Sequence, residues 1–185
     1  MRTTVTFCLI CIGFFLVACQ STSTGTMYRV ISQPSIKPGD SVPKPAGSPV
    51  LTLKGMISNT NGTERLDFDM QTLEQLGLIE YEVDDPFLKR VVAYRGPLLR
   101  DVLAVAGVST NAKELFATAL NDYQTTIPLE VNKWPVIIAT FRDGKLMSIE
   151  EDGPLEIVFP SKHFDIDPMK YNQMWVWQLR ELVVR

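Results

Sequence analysis

Apolar and polar residues alternate in several short stretches of the chain, a pattern typical of β-strands. The first alternating stretch covers residues 50–58, and a turn at residues 59–62 separates it from a second around residues 65–68. Further stretches of this kind predict strands at residues 79–83, 91–94, 115–120, 125–129, 136–141, 155–159 and 174–184. Strands therefore dominate the predicted secondary structure.

Two segments carry helical patterns instead. Asp69 stands where a helix N-cap belongs, and Gly77 is placed to end the short helix that follows it. A second helix is predicted between Pro97 and Gly107, where apolar residues recur at helical spacing. Many strands combined with two or three short helices predict an α+β fold that is mainly β.

Composition divides the chain into three parts. Residues 7–18 form an apolar run after Arg2, the plan of a secretory signal, and the run is shorter than the roughly 20 residues of a membrane-spanning helix. Residues 20–49 are rich in Ser, Thr, Gly and Pro, so we predict a tether that buries too little apolar surface to fold. Residues 50–185 are long enough to form one domain.

The apolar run ends in Leu16-Val17-Ala18-Cys19, which resembles the lipobox of bacterial lipoproteins. The resemblance implies that residues 1–18 are removed and that Cys19 is acylated, anchoring the protein stably on a membrane through two or more chains. Gln20 rather than Asp follows the cysteine, which by the same resemblance favours the outer membrane. We therefore expect a periplasm-facing protein of the bacterial envelope. An ordinary secretory signal with a chance cysteine is the alternative.

Charge and cysteine content exclude several classes of function. The chain has 18 Lys and Arg against 21 Asp and Glu, a formal net charge of −3, so no nucleic-acid partner is expected. All 3 cysteines lie within the first nineteen residues, which leaves no disulfide and no cysteine-ligated metal in residues 50–185. There is no P-loop, no dinucleotide-binding fingerprint and no Gly-x-Ser-x-Gly turn. A self-contained hydrolase is therefore not expected.

Three stretches taken in order resemble the molybdopterin-binding domain of the sulfite oxidase family. Residues 94–103 are similar to that family's aromatic-x-Gly start of a helix, and residues 119–129 to its Asp-Tyr turn and return strand. Residues 143–146 with 153–160 are similar to its Asn/Asp-Gly and Gly-Pro-Leu segments. The resemblance implies a sulfite-oxidase-like molybdopterin-binding fold with short helices over residues 50–185.

The same resemblance implies a cofactor chemistry that this chain does not match. Active members of the family hold molybdenum through a pterin dithiolene and one protein cysteine, and residues 50–185 contain no cysteine. Glu156 stands where the family commonly has an arginine, and a carboxylate there would repel the cofactor's phosphate. We therefore expect a sensing or accessory module without a cofactor, which binds a small ligand or an envelope protein. A molybdopterin-dependent oxidoreductase and a structural lipoprotein are the alternatives.

Six residues are candidates for a ligand cleft in such a domain. Asn121, Asp122 and Tyr123 form a polar cluster between two strands, and Arg95 is expected near them in the fold. The plainer interpretation of the Asn-Asp pair is a turn that bonds its own backbone. Trp175 and Trp177 would share one face of a strand, where indoles either pack in the core or form the floor of a cleft.

One segment has the residue types of a metal site. His163, Asp165 and Asp167 alternate, so an extended segment would direct all three side chains the same way toward a cation. A solvated loop ahead of Pro168 is the plainer interpretation, because no other ligand is evident in the sequence. We therefore expect no metal site here.

Overall fold

The structure is a computed structural model and describes residues 27–185. Its strands are β1 Arg29–Ser32, β2 Leu51–Gly55, β3 Arg65–Phe68, β4 Leu78–Asp85, β5 Arg90–Gly96, β6 Glu114–Ala119, β7 Gln124–Pro128, β8 Ile137–Ala139, β9 Phe141–Arg142, β10 Lys145–Leu146, β11 Glu156–Val158 and β12 Leu179–Val184. The α-helices are α1 Met70–Glu74, α2 Leu99–Val105 and α3 Pro168–Tyr171. Short 3-10 helices cover Leu129–Lys133, Ile149–Glu151 and Asn172–Met174. The signal and lipobox predictions lie outside the described residues.

The strands form three sheets around one core. The first sheet has the order β1-β4-β5-β9-β10, the second has the order β3-β2-β12-β6-β7, and β8 pairs with β11 in a two-stranded sheet. All pairings are antiparallel except that of β2 with β12, which is parallel. The predicted mainly β, α+β architecture is therefore confirmed. Within residues 27–185, no helix combines the length and the apolar character needed to cross a membrane.

Local signals in the sequence explain where the helices begin. The Asp69 carboxylate accepts a hydrogen bond from the backbone N–H of Thr72 at 2.8 Å, so Asp69 is the N-cap of α1 as predicted. Gly77 ends this unit with a φ of 87°, in the left-handed region that glycine adopts without strain. The second predicted helix is α2, which follows Pro97 and buries Leu99, Val102, Leu103 and Val105.

The predicted tether is wrong for its described part, because residues 27–49 pack onto the domain. Strand β1 pairs with the edge of β4, and the side chains of Ile36 and Val42 are buried in the core. Side-chain amides of Asn59 and Asn61 donate to the carbonyls of Asp40 and Pro43. The composition pointed to a tether because prolines and small polar residues outnumber these few apolar anchors. Backbone groups of residues 27–49 form hydrogen bonds with residues far along the chain, which the composition does not reveal.

The strand predicted over residues 174–184 is wrong in its first half. Residues 172–174 form a 3-10 helix, and β12 begins only at Leu179. Between them, Trp175 and Val176 are buried, and Gln178 has a φ of 52°, which an extended strand cannot contain. Trp175 and Trp177 therefore lie on an irregular loop and not on one face of a strand.

Candidate functional site

A cavity of about 300 Å³ opens where three separate segments meet. The segments are the turn between β4 and β5, the turn between β6 and β7, and the loop that precedes β12. We call it the aromatic cavity, and its lining consists of Phe87, Asn121, Tyr123, Asn172, Gln173, Trp175 and Trp177. Four of these side chains are aromatic and three are amides, so no charged side chain lines it.

Four of the six predicted cleft residues line this cavity: Asn121, Tyr123, Trp175 and Trp177. The turn interpretation also holds, since the Asn121 Oδ1 atom accepts from the Tyr123 backbone N–H at 3.0 Å. The Tyr123 hydroxyl then donates to the backbone carbonyl of Gln173 at 2.7 Å, which ties the turn to the loop before β12. The turn thus serves to join two walls of the cavity.

Asp122 and Arg95, the other two predicted cleft residues, do not line the cavity. Asp122 has a φ of 64° and forms an ion pair with Arg180 at 2.9 Å. Arg95 lies on β5 directly opposite Glu80 of β4, and its guanidinium donates two hydrogen bonds to that carboxylate, at 2.9 and 2.7 Å. The guanidinium also covers the ring of Phe141. The Arg95 guanidinium therefore binds its cross-strand neighbour in the first sheet rather than a group in the cavity.

Phe87 is a cavity residue that sequence reasoning missed. Its ring contacts Trp177 edge-on at 4.7 Å between centroids and Trp175 at 6.1 Å. The Asp85 Oδ1 atom accepts from the backbone N–H groups of Phe87 and Leu88, at 2.8 and 2.7 Å, and so fixes the turn that presents this ring. The available signal was a large apolar residue directly after an Asp-Asp-Pro turn sequence. Asn172 and Gln173 were missed as well, without a comparable signal.

A chain of buried polar contacts lies behind the Phe87 turn, and we call Asp85, Tyr94, Arg142 and Glu156 the buried network. The Tyr94 hydroxyl donates to Asp85 Oδ2 at 2.7 Å. The Arg142 guanidinium lies 5.7 Å from the Tyr94 ring centroid and donates to Glu156 Oε2 at 3.0 Å. Glu156 therefore faces an arginine inside the protein and does not line the aromatic cavity.

Burial shifts the acid-base properties of this network. The Glu156 side chain is 0% exposed, and burial raises its pKa to about 7, although the hydrogen bond from Arg142 opposes the shift. Burial also raises the pKa of Tyr94 far above its usual value, and the nearby Glu156 and Asp85 carboxylates add to the shift. Tyr94 therefore keeps its proton and remains the donor to Asp85 at every physiological pH.

The residues considered for a metal site do not converge. Asp167 accepts from the backbone N–H of Met169 at 2.9 Å and thereby caps α3. Residues 161–163 form a turn and no strand covers residues 161–167, so the extended segment that would align the three side chains is not formed. In the part of the chain from residue 27 onward, no group of three or more His, Cys, Asp or Glu side chains is arranged to hold a metal.

Comparison with known proteins gives a family and a fold. A model of the family described as the oxidoreductase molybdopterin binding domain matches residues 70–170. Among solved structures, the sulfane dehydrogenase SoxCD from Paracoccus pantotrophus is similar with a TM-score of 0.56 and 20% sequence identity. That match covers 72% of this chain and 37% of the other, so this chain spans well under half of its neighbour. The comparison with curated proteins gives no match.

The side chains of the aromatic cavity do not fit the molybdenum cofactor. A molybdenum-dithiolene centre of this family takes a protein thiolate, and residues 27–185 contain no cysteine. The cofactor's phosphate calls for cationic partners, whereas this lining has only aromatic and amide side chains. Aromatic and amide groups suit an uncharged ligand instead.

The family assignment rests on the central part of the chain. All three stretches that carried the resemblance in the sequence lie within the matched residues 70–170. Matched residues also include the turns that carry Phe87, Asn121 and Tyr123, and the similar solved structure shows the same fold. The chain therefore belongs to the family of oxidoreductase molybdopterin-binding domains.

Proposed function

We propose that this protein is a ligand-binding module that keeps the family fold without molybdenum chemistry. Its ligand is a small, uncharged, ring-shaped molecule held in the aromatic cavity. The observation that carries the proposal is the lining of that cavity, in which four aromatic rings and three amides meet without a charged side chain. A binding module of this kind acts as a sensing or accessory partner of other envelope proteins.

The size and chemistry of the cavity define the ligand class. A volume of about 300 Å³ is at the lower end of ligand pockets, which suits one or two fused rings. The rings of Phe87, Trp175 and Trp177 meet edge-on and offer apolar walls to a flat molecule. The amides of Asn121, Asn172 and Gln173 supply both donors and acceptors for its polar edge.

A direct binding measurement tests this proposal. Caffeine is an uncharged, flat molecule of two fused rings with carbonyl groups on its polar edge, and we expect calorimetry to show saturable one-to-one binding to the purified protein. Phe87→Ala removes one wall, so the affinity should fall by about tenfold or more. Leu88→Ala is the matched control, because Leu88 is the adjacent residue, is equally exposed at 40% and does not line the cavity. Equal affinities of the two variants, or no saturable binding, would contradict the proposal.

Family membership favours one alternative, a molybdopterin-dependent oxidoreductase. Cofactor analysis separates the two functions when the protein is purified from a host that makes molybdoenzymes. We expect well-folded protein with neither molybdenum nor pterin above background. Stoichiometric molybdenum or pterin would show that the cofactor binds through ligands other than a cysteine of residues 27–185.

We also propose that acylated Cys19 holds the module at the periplasmic face of a bacterial membrane. The support is the lipobox-like sequence, which lies outside the described residues. Residues from Tyr28 onward pack against the domain, so residues 20–27 alone separate the acylation site from it, a reach of about 30 Å at most. Metabolic labelling with palmitate should mark the protein, and Cys19→Ser should abolish the label while Cys11→Ser keeps it. Label retained by Cys19→Ser would refute the anchor.

A further inference from the structure

The placement of Phe87 depends on one buried carboxylate. Asp85 is 3% exposed, and its Oδ1 atom receives the backbone N–H groups of both Phe87 and Leu88. The backbone carbonyl of the same residue accepts from Lys89, which has a φ of 53°. One aspartate therefore fixes the whole turn between β4 and β5, including the ring that closes one side of the aromatic cavity.

The other carboxylate oxygen of Asp85 leads into the protein. Its partner is the hydroxyl of Tyr94, a residue with no exposed surface, whose ring also contacts Trp175 of the cavity wall at 6.4 Å. The guanidinium of Arg142 lies over that ring and reaches Glu156. The buried network thus forms a continuous series of contacts from Glu156 to the Phe87 turn.

The pair at the far end of this series is incompletely bonded. Glu156 Oε1 and Arg142 Nε are both buried and have no hydrogen-bond partner among the described residues. The pair therefore uses one hydrogen bond where a carboxylate and a guanidinium can form two. Ionisation of a buried carboxylate costs more desolvation free energy when one of its oxygens has no hydrogen-bond partner. The protonated form therefore becomes accessible closer to neutral pH than for a fully paired carboxylate.

Several ionisable groups surround this carboxyl from the strands packed against it. They are Arg142 on β9, Tyr94 on β5, Asp85 at the end of β4, and Tyr81 within β4. Both tyrosines have pKa values raised by burial, so they stay neutral near pH 7. Once Glu156 takes up a proton, the carboxylates left around Arg142 are Asp143, the next residue in the chain, and Asp85 on the other side of Tyr94. A guanidinium drawn toward Asp85 competes with the hydrogen bonds that fix the Phe87 turn.

We propose that Asp85 and Tyr94 are positioning residues of the aromatic cavity, and that the charge on Glu156, acting through Arg142, sets how firmly the Phe87 turn is held. The cavity wall is firm when Glu156 is ionised and loosens when it is protonated. This inference rests on the proposed function for its effect on ligand binding. Its effect on the Phe87 turn is a property of the ligand-free protein.

Tryptophan emission of the ligand-free protein provides the first test, because Phe87 contacts Trp175 and Trp177 directly. The background is His163→Gln, which removes the one histidine of the chain, so that no imidazole contributes to the change. We expect the emission to change between pH 5.5 and 8.5 with a midpoint close to 7. Glu156→Gln should remove this transition, since glutamine matches the protonated shape and cannot ionise.

Three further variants make this test specific. Glu82→Gln alters an exposed carboxylate that pairs with Lys162, and it should leave the transition unchanged. Tyr94→Phe keeps the ring and deletes only the hydrogen bond to Asp85, so the emission should lose most of its pH dependence without unfolding. Phe87→Ala should abolish the change because the reporting contact is gone. A pH-independent emission of the starting protein, or an unchanged transition in Glu156→Gln, would overturn the inference.

Caffeine binding at pH 6 and pH 8 then measures the effect on the cavity, because caffeine has no group that ionises between these pH values. We expect the affinity to be about fivefold or more weaker at pH 6, and to be equal at the two pH values in Glu156→Gln. A pH-dependent emission without caffeine binding would refute the proposed function and leave the positioning residues supported. Binding that does not vary with pH in the starting protein would refute the positioning inference and leave the proposed function standing.

Discussion

At the scale of single residues, Glu156 shows how the role of an acidic residue depends on its partner in the folded chain. The sequence places an acid where related domains commonly have an arginine, which suggested repulsion of a phosphate. In the folded chain this acid lies fully buried on β11, which pairs with β8, and its partner is Arg142 of β9. The Glu156 carboxylate therefore pairs with the largely buried Arg142 guanidinium rather than with a ligand.

The pH dependence of stability should reveal this carboxyl. Its pKa is about 7 in the folded protein against an ordinary value of 4.5, so the folded state binds more protons between these values. The free energy of unfolding should therefore fall as pH rises from about 4.5 to about 7, by about 3 kcal/mol at most, and level off above. Urea unfolding at pH 5, 6, 7 and 8 measures this decrease in the free energy of unfolding. Glu156→Gln should remove the dependence on pH, and Glu82→Gln should retain it. The same dependence in both variants would show that Glu156 is not its source.

Gly96 is a second residue whose role the structure explains. It lies where β5 crosses β8, and a methyl group there would overlap the carbonyl oxygen of Ile138. Gly96→Ala should lower the free energy of unfolding by about 2 kcal/mol or more, because the backbone of Ile138 and Ala139 has to move. Gly47→Ala meets open space and should change it by less than about 0.5 kcal/mol. Urea unfolding compares the two variants. Equal midpoints would show that the contact between Gly96 and the Ile138 backbone can accommodate a methyl group.

At the scale of secondary structure elements, the residues before β2 form part of the domain. Strand β1 covers the outer edge of β4 in the first sheet, and edges left open invite pairing with other chains. The backbone N–H groups of Ser35 and Ile36 both bind the carbonyl of Gln75 at the end of α1. This segment therefore closes the side of the domain where the chain enters it.

Two matched double variants test whether this segment belongs to the fold. Ile36→Ala with Val42→Ala removes both buried anchors and should lower the free energy of unfolding by about 3 kcal/mol. Lys37→Ala with Lys44→Ala changes exposed side chains of the same segment and should cost less than about 0.5 kcal/mol. Chemical unfolding monitored by circular dichroism gives both values. If the segment were a free tether, neither double variant would change the free energy of unfolding by more than about 0.5 kcal/mol.

At the scale of the whole molecule, the last strand occupies the centre of the second sheet. Strand β12 pairs in parallel with β2, near the start of the described chain, and antiparallel with β6. Its inward residues Leu179, Leu182 and Val184 are all buried. Because β2 and β6 meet only through β12, this sheet cannot form until the final residues are in place.

Removal of residues 179–185 should therefore abolish cooperative unfolding of the whole domain. The two halves of the second sheet would each expose an unpaired edge and apolar side chains, so a soluble product should show no sharp urea transition. Glu181→Ala changes a half-buried residue of the same strand, losing only its surface pair with Lys54, and should keep the transition within about 1 kcal/mol. A cooperative transition in the truncated chain would show that β12 is dispensable.

Local patterns in the sequence determined the individual elements, because alternation, N-caps and glycine stops depend on residues only a few positions apart. The strand pattern, the Asp69 cap and both main helices follow from them, whereas the family resemblance rests on the residues of three short stretches. Four cavity residues were also proposed from the sequence, Asn121 and Tyr123 as part of a polar cluster between two strands and Trp175 and Trp177 as an aromatic pair.

Only the tertiary structure decided which elements meet. Phe87 contacts Trp177, which is 90 positions later in the sequence. Arg95 pairs with Glu80 of the neighbouring strand, and Glu156 forms a buried ion pair with Arg142. The packing of residues 27–49 depends in the same way on carbonyl and amide partners far along the chain. Such contacts are set by the global arrangement of the sheets, through burial and pairing between distant segments, and no local pattern encodes them.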